Sequence, residues 1–301
     1  MTTLSQTDFA QTFQIEGLDV RGRLVRLGPE LAKVIDAHDY PAPVAEMLSE
    51  TLTLAAVLAS ALKYDGLFSL QVQSDGPISL MIADITSNGA MRGYARFDAE
   101  RVAKAATASG AVVPRLLGAG HLAFTVDQGQ DMDRYQGISG LDGATLAECA
   151  HHYFRNSEQL ETAIFLAARS VDGTPRAGAV MVQRMPMQHA ADEAEDDDGW
   201  RRTVAILASL TADELLDPEL DPDQLLYRLY HEDGVRAHTP HPLFQQCRCS
   251  NEKVANTLKS FPRDEITGED GHAQVVCEFC KAHYDFTPDD LNALYDSVND
   301  A

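Results

Sequence analysis

The stretch "FSLQVQSDGPISLMIADITSNGAMRGYAR" (residues 68–96) decides the fold class. Phe68, Leu70 and Val72 alternate with Ser69, Gln71 and Gln73, the period-2 pattern of a strand with one buried face. "SDGP" is turn chemistry, after which Ile78, Leu80 and Ile82 resume the alternate-residue pattern. "SNG" supplies a second turn and "AMRGYAR" a third strand. Strands joined by such short turns pair antiparallel, because a parallel neighbour needs a crossover of a dozen residues or more. Upstream, residues 44–62 are apolar on nearly every side (Val44, Met47, Leu48, Leu52, Leu54, Leu58, Leu62), as expected of a helix buried between layers. Downstream, "HLAFTV" (121–126) and "GAVMVQRM" (178–185) read as further strands. The expected class is α+β, with a layered antiparallel-sheet and helix domain over residues 1–187.

Composition changes after Met187. "HAADEAEDDDG" (189–199) carries six acidic residues between Asp192 and Asp198 and reads as a solvated link. A helix is expected over residues 200–216, where Trp200, Val204, Leu207 and Leu215 fall near helical spacing. A second is expected over residues 221–233, with Asp221 as N-cap and Pro222 in the first helical position. Short amphipathic helices must lay their apolar faces on something, most economically the preceding domain. Residues 188–240 are thus an acidic and helical linker, and residues 241–301 a small separate domain.

Apolar residues make up 45% of the chain and charged residues 23%, the profile of a soluble globular protein. The start has no basic region followed by an apolar stretch. The apolar run "TLTLAAVLASAL" (51–62) is short of the roughly 20 residues of a membrane span. A cytoplasmic location without membrane contact is the expectation. The formal net charge of −22 argues against a nucleic-acid partner, because two polyanions repel.

Four of the five cysteines sit in the last domain, as Cys247-x-Cys249 and, after 27 intervening residues, Cys277-x-x-Cys280. Four thiolates from two short pairs can surround one tetrahedral Zn²⁺. All four positions would be filled by protein, so a hydrolytic metal is not expected. A tail of this size assembles a core worth only about 3–5 kcal/mol, whereas four-ligand zinc sites contribute about 10–16 kcal/mol. The metal would hold the tail together, with Phe261, Phe279, Tyr284, Phe286 and Leu291 as candidates for the core around it. Residue chemistry leaves two readings open: a static zinc module, which leads, and a switch in which oxidation of the thiolates expels the metal.

Other candidates carry less. Cys149 shares a helical face with Leu146 and Tyr153 and reads as a core thiol. His151 and His152 are adjacent, so on a helix they point about 100° apart and do not converge on a ligand. "LLGAGHL" (116–122) lacks a full phosphate-binding fingerprint, and no G-x-S-x-G, H-E-x-x-H or P-loop occurs. Nothing in the sequence argues for an enzyme.

With these residues in view, the chain resembles the bacterial thirty-three-kilodalton heat-shock protein family, redox-regulated holdase chaperones. The resemblance is carried by the CxC–x27–CxxC signature and, in order upstream, by "HDYPAPV", "KYDG", "QSDGP", "MRGYAR", "RYQG", "YFRNSEQL" and "LYHED". It implies an ATP-independent chaperone, inactive when reduced and zinc-bound at Cys247, Cys249, Cys277 and Cys280. It further implies that oxidants pair Cys247 with Cys249 and Cys277 with Cys280, that zinc leaves, and that tail and linker unfold. The activated protein is then expected to dimerise and to hold unfolding client proteins. The alternative is a constitutive protein-interaction factor with a purely structural zinc module.

Overall fold

A computed structural model describes residues 7–129, 134–155, 160–186 and 193–299 of the chain, without the side chains of residues 296–299. The chain divides into two compact units, residues 1–245 and 246–301.

The first unit opens with strands β1 (Phe9–Ile15) and β2 (Val20–Leu27) and helices α1 (Pro29–Ile35) and α2 (Ala42–Ala59). Strands β3 (Leu67–Ser74), β4 (Ile78–Thr86) and β5 (Ala90–Phe97) follow, then helices α3 (Ala99–Ala106) and α4 (Val112–Leu116). Next come β6 (Gly120–Asp127), β7 (Tyr135–Gly140), α5 (Leu146–Tyr153), β8 (Thr162–Val171) and β9 (Thr174–Arg184). Residues 193–240 contribute helices α6 (Glu193–Leu207), α7 (Ala212–Leu216) and α8 (Pro222–Tyr230) and strand β10 (Val235–Ala237). Strands β11 (His241–Pro242) and β12 (Phe244–Gln245), in the stretch expected to open the small domain, also pair with the first unit's sheets. One sheet runs β10-β1-β2-β9-β8 with β11 also on β1, and the other runs β12-β5-β4-β3-β6-β7. The α+β class read from residues 68–96 holds. All of these pairings are antiparallel except that of β12 with β5.

Helix α2 touches strands of both sheets and is the centre of the main core. Its hydroxyls fold back on its own carbonyls, Thr51 Oγ1 donating to Met47 O (2.7 Å) and Thr53 Oγ1 to Ser49 O (2.8 Å). It can therefore be buried on all sides without orphaned polar groups. It is the one helix among the described residues long and apolar enough to cross a membrane, yet 72% of it is buried inside the protein. The helix stops at Ala59, so Leu62, expected on its buried surface, is 42% exposed. Strand β4 departs from simple alternation. A bulge between Ile78 and Leu80 shifts the register, so Met81, Ala83 and Ile85 take the buried face while Leu80 and Ile82 are only half-buried. One inserted residue moves every later side chain to the opposite face.

The "SDGP" turn locks onto "LLGAG". Asp75 N donates to Ala119 O (2.9 Å), and Ala119 N donates to Asp75 Oδ1 (2.8 Å). A Cβ on Gly76 would lie 2.2 Å from the Leu117 carbonyl oxygen, so only glycine fits. "LLGAGHL" is thus a packing turn leading into β6.

Strands β1, β2, β7 and β8, and the short strands β10 to β12, were not foreseen. β2 explains why: Val20 and Leu24 face one core, Val25 and Leu27 the other, so apolar residues occur on both faces and alternation is lost. The second core is where the linker docks. Phe9, Phe13, Ile15, Val180 and Val182 of the sheet pack against Leu207, Leu215, Leu225, Leu229 and Tyr230 of the linker helices. Phe13 lies across Gly22, where a Cβ would collide with its ring, and stacks on Tyr230 at 5.8 Å.

Two linker expectations need correction. The single helix expected over residues 200–216 is two helices, because Thr211 forms a capping box with Glu214 and starts α7 afresh. The acidic stretch is not simply a solvated link: from Glu193 on it forms the first turns of α6, while Asp192 lies outside the described residues. Arg184 Nε donates to Asp196 Oδ2 (2.8 Å), Arg184 Nη2 to Asp197 Oδ1 (2.7 Å), and Arg184 Nη1 to Glu161 Oε2 (2.6 Å). Gly199 interrupts the helix composition because the Leu18 side chain passes close to it.

Candidate metal centre

The second unit is built around a two-stranded hairpin, β13 (Ala273–Val276) with β14 (His283–Phe286). Helices α9 (Asn251–Leu258), α10 (Arg263–Ile266) and α11 (Pro288–Asn299) accompany it. The hairpin loop is "CEFCKA". Cys277 N donates to Ala282 O and Lys281 N to Cys277 O, both at 2.9 Å, and Lys281 takes a left-handed conformation at φ 58°. Such a tight turn carries Cys277 and Cys280 together. The other pair lies in irregular chain just before α9, whose N-cap Ser250 accepts from Lys253 N (3.2 Å). Lys253 Nζ returns to Arg248 O (2.9 Å), bracing the segment between Cys247 and Cys249.

These two loops bring the four sulfur atoms within 4.8 Å of one another. Cys247 Sγ lies 3.7 Å from Cys277 Sγ, and Cys249 Sγ lies 3.4 Å from Cys280 Sγ. A disulfide would bring sulfurs to about 2.05 Å, and all four thiols are free. In a tetrahedron with sulfur about 2.3 Å from the metal, neighbouring sulfurs stand about 3.8 Å apart. The donor set and its spacing fit a single tetrahedral Zn²⁺. It is the one cluster of three or more His, Cys, Asp or Glu ligand atoms close enough to hold a metal among the described residues.

Cys247, Cys249 and Cys280 do not ionise alike. Burial opposes the Cys247 thiolate, but hydrogen bonds from the Cys249 backbone and the neighbouring thiols outweigh it and bring its pKa down to about 7. Burial pushes Cys249 up, partly offset by a hydrogen bond from the Tyr284 hydroxyl. Burial, together with the other sulfurs, pushes Cys280 up to about 12. Four sulfurs packed this closely cannot all carry charge without a cation among them.

The core beneath is small: Leu258, Ala273, Phe286 and Leu291 are buried, with Tyr284 and Leu294 partly so. Two expected members are not part of it. Phe261 is 48% exposed because α9 ends at Leu258 and the chain turns outward, and Phe279 sits in the cysteine loop rather than under it. Phe286, Leu291 and Tyr284 fall where expected.

In the first unit, Cys149 is fully buried, and its burial pushes the thiol pKa up, the opposite of an activated nucleophile. His151 Nδ1 is engaged with Thr162 O at 2.7 Å, and the His151 and His152 ring centres stand 6.4 Å apart. The Tyr284 contact to Cys249 was not visible in the sequence, since no spacing rule links a strand tyrosine to a sulfur 35 residues upstream.

Known proteins place these features in one family. The family described as Hsp33 protein matches residues 8–287. A 33 kDa chaperonin of Caulobacter vibrioides is 42% identical over 93% of this chain and 95% of its own length. One of Pseudomonas fluorescens is 40% identical over 98% and 96%. One of Escherichia coli is 35% identical over 99% and 98%. The crystal structure of a 33 kDa chaperonin from Thermotoga maritima shares the fold at a TM-score of 0.77, with 22% identity, covering 97% of this chain and 99% of that one. A match running through both units, cysteine tail included, is more than a shared zinc loop would produce: the chain belongs to the Hsp33 family of chaperones.

Proposed function

We propose that the protein is a redox-regulated, ATP-independent holdase that binds unfolding proteins in the cytosol under oxidative stress. The observation that carries this reading is the convergence of Cys247, Cys249, Cys277 and Cys280 in a unit with so small a core. Bound there, Zn²⁺ would tie two loops together and neutralise the thiolates. Oxidation pairs Cys247 with Cys249 and Cys277 with Cys280. Each pair of thiolates gives up two electrons to one peroxide, which takes two protons from solvent and leaves as two waters while the S–S bond forms. All four metal ligands are thereby consumed, and a unit this small loses its main source of stability.

The chain itself relays the loss. Residues 235–245 run along both sheets, β10 and β11 on β1 and β12 on β5, and Cys247 follows two residues later. Fraying of this strap frees the C-terminal end of the linker, whose helices cover the apolar face built from Phe9, Phe13, Val180 and Val182. Uncovered, that face is of a kind that binds exposed apolar segments or a second copy of the chain, and the active form is read as a dimer. The high negative charge helps keep client complexes in solution.

A second reading, a constitutive interaction factor with a structural zinc module, is favoured by the closed four-ligand geometry alone. Aggregation of a thermally unfolding client separates the two. The holdase reading expects suppression only after peroxide treatment at elevated temperature, and equal suppression by the reduced, zinc-loaded protein rejects it.

A further inference from the structure

We infer that Arg26 is the pin that fixes the linker to the sheet, acting through main-chain carbonyls rather than a carboxylate. Arg26 projects from β2 and is 6% exposed. Its Nη2 donates to Glu214 O (3.2 Å), and its Nη1 donates to Asp217 O (3.2 Å) and Leu220 O (2.5 Å). These carbonyls span the end of α7 and the connection to α8, the part of the linker without helical hydrogen bonds of its own. One planar guanidinium therefore sets the path of the whole turn, which a single-point ammonium could not do.

The pin is also built to let go. Burial holds the Arg26 pKa down to about 10, with Asp217 and Asp221 countering, and its Nε has no partner among the described residues. No carboxylate hydrogen-bonds to it among the described residues. A buried cation held by neutral oxygens regains full hydration as soon as the linker lifts, so the contact gives register and specificity without irreversible grip. The Leu215 and Leu225 contacts supply the apolar adhesion, and Arg26 decides where it is applied.

The inference rests on the holdase reading only for its consequence, and its structural part is tested separately. Amide hydrogen exchange is compared in reduced, zinc-loaded wild type, Arg26→Met and Arg26→Lys, with exposed Arg21→Met as control. Expected is at least tenfold faster exchange in residues 211–230 of Arg26→Met, a smaller rise in Arg26→Lys, and wild-type rates in Arg21→Met. Strands β1, β2 and β9 and the zinc content stay unchanged. Wild-type exchange in residues 211–230 of Arg26→Met overturns the inference. So does equal acceleration in β1 and β2, which would make Arg26 an ordinary core residue. In the same preparations, reduced Arg26→Met is expected to suppress client aggregation. If oxidised wild type also fails to suppress it, the holdase reading falls while the exchange result stands on its own.

Discussion

Cys249 and Cys280 lie 31 positions apart in sequence, and their sulfur atoms stand 3.4 Å apart. Each arrives by its own local device: the braced turn before Ser250 in one case, the left-handed Lys281 in the other. Two independently shaped loops that meet sulfur to sulfur need something between them. Removing the metal from reduced protein with a strong chelator should melt residues 246–301 and loosen the linker helices, while the two sheets packed on α2 stay folded. Circular dichroism with domain-resolved hydrogen exchange checks this, and an intact hairpin at β13–β14 without metal would speak against it.

Ligand loss should be nearly as severe. If the four thiolates share about 10–16 kcal/mol equally, each contributes enough that Cys277→Ser weakens zinc binding by about 100-fold or more. Competition with a chromophoric chelator measures it. An affinity within a factor of a few of wild type would mean that Cys277 is not a ligand.

Tyr230 gives a test of the docked linker. Its side chain is fully buried against Phe13, and its hydroxyl has no hydrogen-bond partner among the described residues. Tyr230→Phe should therefore stabilise the docked linker by about 1 kcal/mol, whereas Tyr230→Ala should cost about 3–5 kcal/mol. Denaturant unfolding gives the stabilities, and the oxidant dose for half-activation should rise in the first variant and fall in the second.

Much of this was legible in the sequence, and what was not has identifiable causes. Strands β3, β4 and β5 announced themselves because short turn sequences separate them and β3 keeps one face less buried than the other, and the four-cysteine spacing announced a cluster able to hold a metal. The bulge after Ile78 is a backbone event without a side-chain signature. β1 and β2 are sandwiched between two cores, which erases the alternation that identifies strands. The acidic run looked like a solvated link because charge runs usually are, and the partner that draws it into α6, Arg184, comes from β9.

That partner makes the acidic run testable. Asp196 is largely buried against Arg184, and charged hydrogen bonds of this kind contribute about 1.5–3 kcal/mol. Asp196→Asn should loosen the first turns of α6 and leave α8 protected, as read by hydrogen exchange. Unchanged protection at residues 193–200 would show the ion pairs to be ornamental.

Glu50 on α2 sets a pH dependence. Burial, reinforced by Glu46, pushes its pKa up from 4.5 to about 7. The folded state then holds a proton that the unfolded state releases, so stability is full below about pH 4.5 and declines as pH rises through about 7. The loss should be on the order of 2 kcal/mol after allowing for solvent at this half-buried site. Urea unfolding of wild type and Glu50→Gln at pH 5 and pH 8 checks it, the variant being expected to show a flatter profile.

The central claim is that the cysteine centre keeps the linker docked. It is tested most directly by tryptic cleavage after Arg201, Arg202 and Arg228, which lie exposed on α6 and α8, followed against the fraction of zinc released by peroxide. The account predicts that cleavage is slow in reduced protein and rises in proportion to zinc release. Cleavage that stays at the reduced-state rate after all the zinc has gone would contradict it.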